Sequence, residues 1–276
     1  MRRLALLLLL PWLPACAPAP SSTADAQAHD HAHPDASADA DVALEATADA
    51  ATEAGFDAAR STARDLTVRY TAPAHPDRLS EFALVGEGGG LLARAVLRGN
   101  ATEEALTLRN ALPVGPSRVA WFTDDDGDLA YDAPPTDRAG RLDIPPPPGP
   151  HTLTVLPVAP WVDVGASSTE GTLLGRFSEF DVHMGVTFEL SLSPEGEDLT
   201  VALYRYRSLS GAGAFEFALH GVLQEGRRYV ARWFIDLNDN GVYDLRGDHG
   251  GELAFDGRAR GVTLFHQHHM NRAWVE

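Results

Sequence analysis

The sequence predicts an all-β protein, organised as two tandem β-sandwich-like domains behind a short signal and a disordered tether. Three observations carry that expectation. From about residue 62 the chain falls into short runs of period-two hydrophobicity, the repeat that sends alternate side chains to opposite faces of a strand. Gly and Pro turns separate these runs, and no stretch beyond the tether holds a helical period for three turns. The third observation is an internal echo. Trp121, Phe122, Asp124, Asp126, Asp128, Tyr131 and Asp132 occupy the places that Trp233, Phe234, Asp236, Asn238, Asn240, Tyr243 and Asp244 take 112 residues later, so the chain reads as duplicated.

Residues 1–16 come first. Arg2 and Arg3 form a basic start, Leu4 to Leu10 an apolar run too short to span a bilayer as a helix, and Leu-Pro-Ala-Cys at 13–16 a cleavage region ending in the only cysteine. This resembles the bacterial lipoprotein signal. The resemblance implies that Cys16 carries acyl chains, that the bilayer is a partner through that residue, and, with Ala17 following it, that the protein is held at the outer membrane.

One cysteine excludes an intrachain disulfide or a cysteine-rich metal cluster. A net charge of −17 opposes nucleic acid and anionic bilayer surfaces as partners. An envelope protein or a glycan is the partner expected. Residues 17–61 are Ala- and Asp-rich, with nine acidic residues in 17–60 against Arg60 alone, which cannot bury enough apolar surface to order as a core. They read as a tether. Within them His29, His31 and His33 beside Asp30 form a local cluster able to scavenge copper, nickel or zinc, or simply a polar spacer.

The first domain is expected over 62–160, with strands at 66–71, 81–85, 91–97, 105–110, 118–122, 141–144 and 151–158. The proline run at 145–148 cannot lie in a central strand. The second is expected over 165–276, with strands at 172–177, 182–192, 199–206, 214–222, 229–235, 252–255 and 261–268. The boundary falls in the Pro-, Gly- and Ser-bearing stretch 159–171. Alternation in the 229–235 strand puts Tyr229, Ala231 and Trp233 on one face, so Trp121 and Trp233 read as core side chains in preference to sugar-stacking platforms.

The repeated loop has the chemistry of a hard-cation site. Counting from Asp236, oxygen donors stand at Asp236, Asn238, Asn240, the carbonyl of Val242 and Asp244, with Gly241 at the turn. The pattern resembles the D-x-N-x-N-G calcium loops of helix–loop–helix, dockerin-type and thrombospondin-type proteins. It departs from the first in having Gly247 at the twelfth position and a strand before the loop, which brings it nearer to calcium-associated loops of bacterial immunoglobulin-like or transthyretin-like sandwiches. Calcium is the cofactor this implies. In the earlier loop Asp124, Asp126, Asp128, the carbonyl of Ala130 and Asp132 hold the same spacing, but Leu129 replaces the turn glycine. Tight turns use the same residue types without any ion.

The last distinctive patch is Phe265 to Glu276. On a continuing strand His266, His268 and Met270 share one side, a set of nitrogen and sulfur donors suited to copper or zinc, with His183, His220 or His249 as further ligands and Met184 as an alternative thioether. No nucleophile elbow, HExxH helix or phosphate loop is present, so the reading is non-catalytic. The main expectation is a structural or adhesive envelope lipoprotein with calcium-stabilised β domains. The alternatives are a copper- or zinc-binding protein using the histidine patch, and a metal-dependent hydrolase using His266, His268 and Asp248.

Overall fold

A computed structural model describes residues 64–71, 78–99, 103–146, 149–156, 158, 160–181, 183, 185–207, 209, 213–245 and 247–276. The signal, Cys16, the tether with its histidines, and Met184 lie outside the described residues. Within them the protein is entirely β, and no helix is long and apolar enough to cross a membrane.

The strands of the first half are β1 (Arg64–Thr71), β2 (Leu79–Gly86), β3 (Leu91–Gly99), β4 (Glu103–Leu112), β5 (Ser117–Thr123), β6 (Arg138–Ile144) and β7 (His151–Val155). Those of the second are β8 (Leu173–Ser178), β9 (Thr187–Pro194), β10 (Ala202–Arg207), β11 (Ala214–Leu219), β12 (Arg228–Asp236), β13 (His249–Asp256), β14 (Val262–Gln267) and β15 (Arg272–Val275). All fourteen strands expected from the alternation are present; β15 is the addition. Its four residues follow a turn at once and are too few to show a period.

The duplication extends to topology. The sheets run β4-β1-β7, then β13-β12-β9-β10-β3-β2-β5-β6, then β11-β8-β14-β15. Reading β1–β7 onto β8–β14 maps every pairing onto its counterpart, including the parallel pairs β1/β7 and β8/β14. The halves meet where β3 lies parallel to β10. The two expected sandwiches therefore share one eight-stranded sheet. A physical reason is visible in β3, where Ala93, Arg94, Ala95, Val96 and Leu97 are all buried, the pattern of a strand covered on both sides and both edges.

Paired residues share a face of a sheet, so the register fixes which side each small sheet covers. In the first half Tyr70 of β1 packs edge-on against Phe82, which pairs with Ala95 and so lies on the face of Leu203. In the second, Phe177 of β8 packs against Trp233, which pairs with Leu190, then Tyr204, then Val96. Ala95 and Val96 are neighbours on one strand, so the two small sheets cover opposite faces. The halves are thus related by a two-fold rotation about an axis along the strands between β3 and β10. Trp121 faces Gly140 and Trp233 faces Gly251 at matching positions, and both tryptophans are core residues at 5% exposure.

Candidate metal centre

The C-terminal half brings three imidazoles together at one end of β8, β13 and β14. His249 opens β13 opposite Ile235. β14 ends at Gln267, and a turn follows in which Asn271 N–H donates to the carbonyl of His268. His268 N–H donates to the carbonyl of Ser178, the last residue of β8. His183 enters from the segment after β8, its N–H donating to Phe180. Glu179 ties the two chain segments: one carboxylate oxygen accepts from Gln267 Nε2 at 2.9 Å, the other from His269 N–H at 3.1 Å. Glu179 does this at a positive φ of 65°, a conformation that costs a side-chain-bearing residue free energy and persists where the surroundings enforce it.

His183 Nε2 lies 2.8 Å from His268 Nε2, which lies 3.2 Å from His249 Nδ1. One ligand atom from each of the three falls within 4.8 Å of the others. Nitrogens on a tetrahedral ion at 2.0–2.1 Å stand about 3.3 Å apart, so a small outward movement seats a cation. His183 is buried, His268 intermediate and His249 exposed, giving the cluster one open side. Burial first, and then the neighbouring imidazoles, push His268 from 6.5 down to about 4 and lower His183 as well. Both are therefore neutral at pH 7, the form that ligates a metal. With nitrogen donors and no carboxylate in the cluster, the set favours zinc or copper over calcium or magnesium.

Two of the four residues singled out from the sequence meet here, His183 and His268. His266 does not, because strand geometry ends before His268 and the alternation breaks. His266 instead points into the core at 4% exposure, against Phe177, Phe180 and Trp233, and burial lowers it to about 4. Its Nδ1 has no hydrogen-bond partner. Met270 is 63% exposed in the turn and outside the cluster. His249 takes the place assumed for His266. In the first half the equivalent of His249 is Arg138, which clamps Asp125 through two bonds of 2.5 and 2.6 Å. The imidazole cluster is therefore not a requirement of the repeat's fold.

The acidic loops sit at equivalent ends of β5 and β12. In the first, Asp124 accepts from Gly127 and Leu129 N–H, while Asp137 accepts from Asp125 and Asp132 N–H. In the second, Asp236 accepts from Asn240 and Gly241 N–H, while Asp248 accepts from Leu237 and Asp244 N–H. Two buried carboxylates thus hold each loop, one of them, Asp137, missed from the sequence because it follows the spaced run. Asp124, Asp126 and Asp128 bring carboxylate oxygens within 4.8 Å of one another. Asp132 is drawn to Asp137 through its own backbone, and Ala130 N–H donates to Asp128. In the second loop Asn238 and Asn240 turn their amide NH₂ groups onto Asp244 at 2.9 and 2.8 Å, and the N–H of Val242 donates to Asn240. Asp248, named for hydrolysis with His266 and His268, has both oxygens taken by these backbone bonds.

The sequence matches no family model and no curated protein. Among solved structures, the Bacillus anthracis TIE protein is similar at 10% identity and TM-score 0.23 over 74% of this chain, which spans 34% of that one. The tip fimbrial protein Mfa3 from Porphyromonas gingivalis is similar at 8% identity and TM-score 0.26, over 77% of this chain and 97% of that. A protein described as a cell adhesion protein from Bacteroides eggerthii is similar at 10% identity and TM-score 0.23, over 74% and 86%. At these TM-scores the likenesses carry no argument about this chain.

Proposed function

We propose that the protein binds a single zinc or copper ion through His183, His249 and His268 and serves in metal handling at a bacterial envelope. The convergence of three imidazole nitrogens within 4.8 Å is the observation that supports this reading. The open side leaves a coordination position for exchange with a carrier or a small ligand. Anchoring through lipidated Cys16 completes the proposal, and globomycin tests it: signal cleavage that continues under the drug, with no lipid on Cys16, sinks that part.

The metal reading is tested by titrating a chain in which His29, His31 and His33 are Ala, so that the tether cannot contribute. Zinc, copper(II) and copper(I) are added in separate runs. One ion is expected to bind per chain, and His268→Ala to weaken it at least tenfold, the loss of one of three ligands. Binding unchanged in His183→Ala, His249→Ala and His268→Ala together contradicts it.

A second reading, a calcium-stabilised structural or adhesive scaffold, draws support from the three convergent carboxylates of the first loop. Both Asp124 and Asp137 have pKa values raised, first by burial, and a cation would relieve that penalty. Calcium is expected to raise the thermal midpoint by mass action, and Asp126→Asn with Asp128→Asn to remove the rise. A midpoint indifferent to millimolar calcium excludes the site.

A further inference from the structure

Each half leaves one face of its part of the large sheet uncovered by its own small sheet. In the first half that face is roofed by the chain itself. Val162 N–H donates to the carbonyl of Ala139 on β6 at 2.9 Å. Tyr131 Oη donates to the Asp163 carboxylate at 2.5 Å and accepts from Val164 N–H at 3.0 Å. Ser167 Oγ then reaches Glu81 at 3.0 Å, beside the buried Arg94 that pairs with the same carboxylate. Beneath this roof Ala139 is fully buried.

The two-fold relation gives every part of that arrangement a counterpart in the second half: Tyr243 for Tyr131, Phe234 for Phe122, Gly250 for Ala139, Glu189 for Glu81. The aromatic pairs keep their geometry, with ring centroids 5.2 Å apart for Phe122 and Tyr131 and 5.8 Å for Phe234 and Tyr243. Yet no described segment roofs this face. It forms a groove of about 720 Å³, lined by Arg232, Phe234, Val242, Tyr243 and Gly250 among others. Tyr243 is 44% exposed and Val242 62%. The Tyr243 hydroxyl has no protein partner among the described residues. Gly250 is exposed where Ala139 is sealed.

We propose that this groove docks an extended segment of a partner polypeptide, in the way the first half holds its own Val162–Ser168. The segment carries an acidic side chain for the Tyr243 hydroxyl; Arg232, which stands where the first half has Ala120, lines the same groove and already donates through Nε to Glu252 at 3.1 Å. Valine-sized and small residues flank it, since Phe234 and Val242 offer apolar contact. A backbone N–H of the segment meets the Gly250 carbonyl at the outer strand of the large sheet.

The probe is a nine-residue peptide with the sequence of residues 160–168, Pro-Trp-Val-Asp-Val-Gly-Ala-Ser-Ser, titrated calorimetrically into the full chain. One-to-one binding is expected, weakened at least tenfold by Tyr243→Ser and by replacing the peptide's Asp with Ala. Tyr243 is surface-exposed, so the variant keeps its fold, checked by an unchanged thermal midpoint. Absence of binding at millimolar peptide overturns the proposal. So does binding that survives Tyr243→Ser but is lost in Tyr131→Ser, which would mean that the peptide displaces the chain's own segment. A concentration-dependent dimer that dissolves on Tyr243→Ser assigns the groove to a second copy and overturns it equally.

Discussion

Leu129 holds the clearest residue-level record of the duplication. It stands where the second loop has Gly241, and its φ of 67° matches the glycine's 76°. A left-handed conformation costs an L-residue with a Cβ about 1–2 kcal/mol, while glycine gives back about 0.5–1 kcal/mol through unfolded-state entropy. At 43% exposure Leu129 buries little to offset this. Leu129→Gly is therefore expected to stabilise the protein by roughly 0.5 kcal/mol, read as a higher urea midpoint at constant slope. A lower midpoint would mean that the leucine side chain has contacts worth more than its backbone strain.

The histidines make stability depend on pH. His266 and His268 are both held near 4, below their ordinary 6.5, chiefly by burial. Below pH 6.5 the unfolded chain takes up protons that the folded chain refuses, so stability falls as pH drops toward 4 and is fully present above 6.5. In chelator-treated protein the thermal midpoint is expected to decline between pH 6.5 and about 5, above the carboxylate range. His266→Phe with His268→Ala should flatten that interval; an unchanged slope assigns the decline to other groups. Of this site the sequence announced the donor types and two of the ligands. It offered His249 only as one of several possible further ligands, because its place beside His183 and His268 depends on where β13 begins, and it did not reveal the diversion of His266 into the aromatic core.

At the scale of elements, the strands were legible because each needs one apolar face and shows it at period two. The joining of β3 to β10 was not, since edge pairing is a long-range choice and carries no local period. The near-continuous burial of β3 was the available sign. Packing at matching positions gives a sharper test of the shared architecture. A Cβ on Gly251 would stand 2.6 Å from Cζ2 of the Trp233 ring, and one on Gly140 would stand 2.9 Å from the Trp121 ring. Both rings are core side chains with little room to retreat. Gly251→Ala is expected to cost about 1–3 kcal/mol by overpacking. Denaturant unfolding with no loss of stability would show that the tryptophan is free to move aside.

For the whole molecule, the acidic composition and the strand pattern set the class, but duplication explains how one chain carries two different ends. The first half fills its outer face with its own Val162–Ser168 and clamps Asp125 with Arg138. The second keeps the same strands, places His249 at the arginine's position, and has no segment over its outer face among the described residues. A repeat that already holds its core can vary such surface positions without losing the fold. The proposed imidazole metal site then belongs to the second half alone, and the ion's ligands would be its most direct signature. X-ray absorption spectroscopy of the zinc-loaded chain lacking the tether histidines is expected to show three imidazole nitrogens at about 2.0–2.1 Å with one light fourth ligand. A coordination shell of oxygens, or of fewer than two imidazoles, would contradict the assignment.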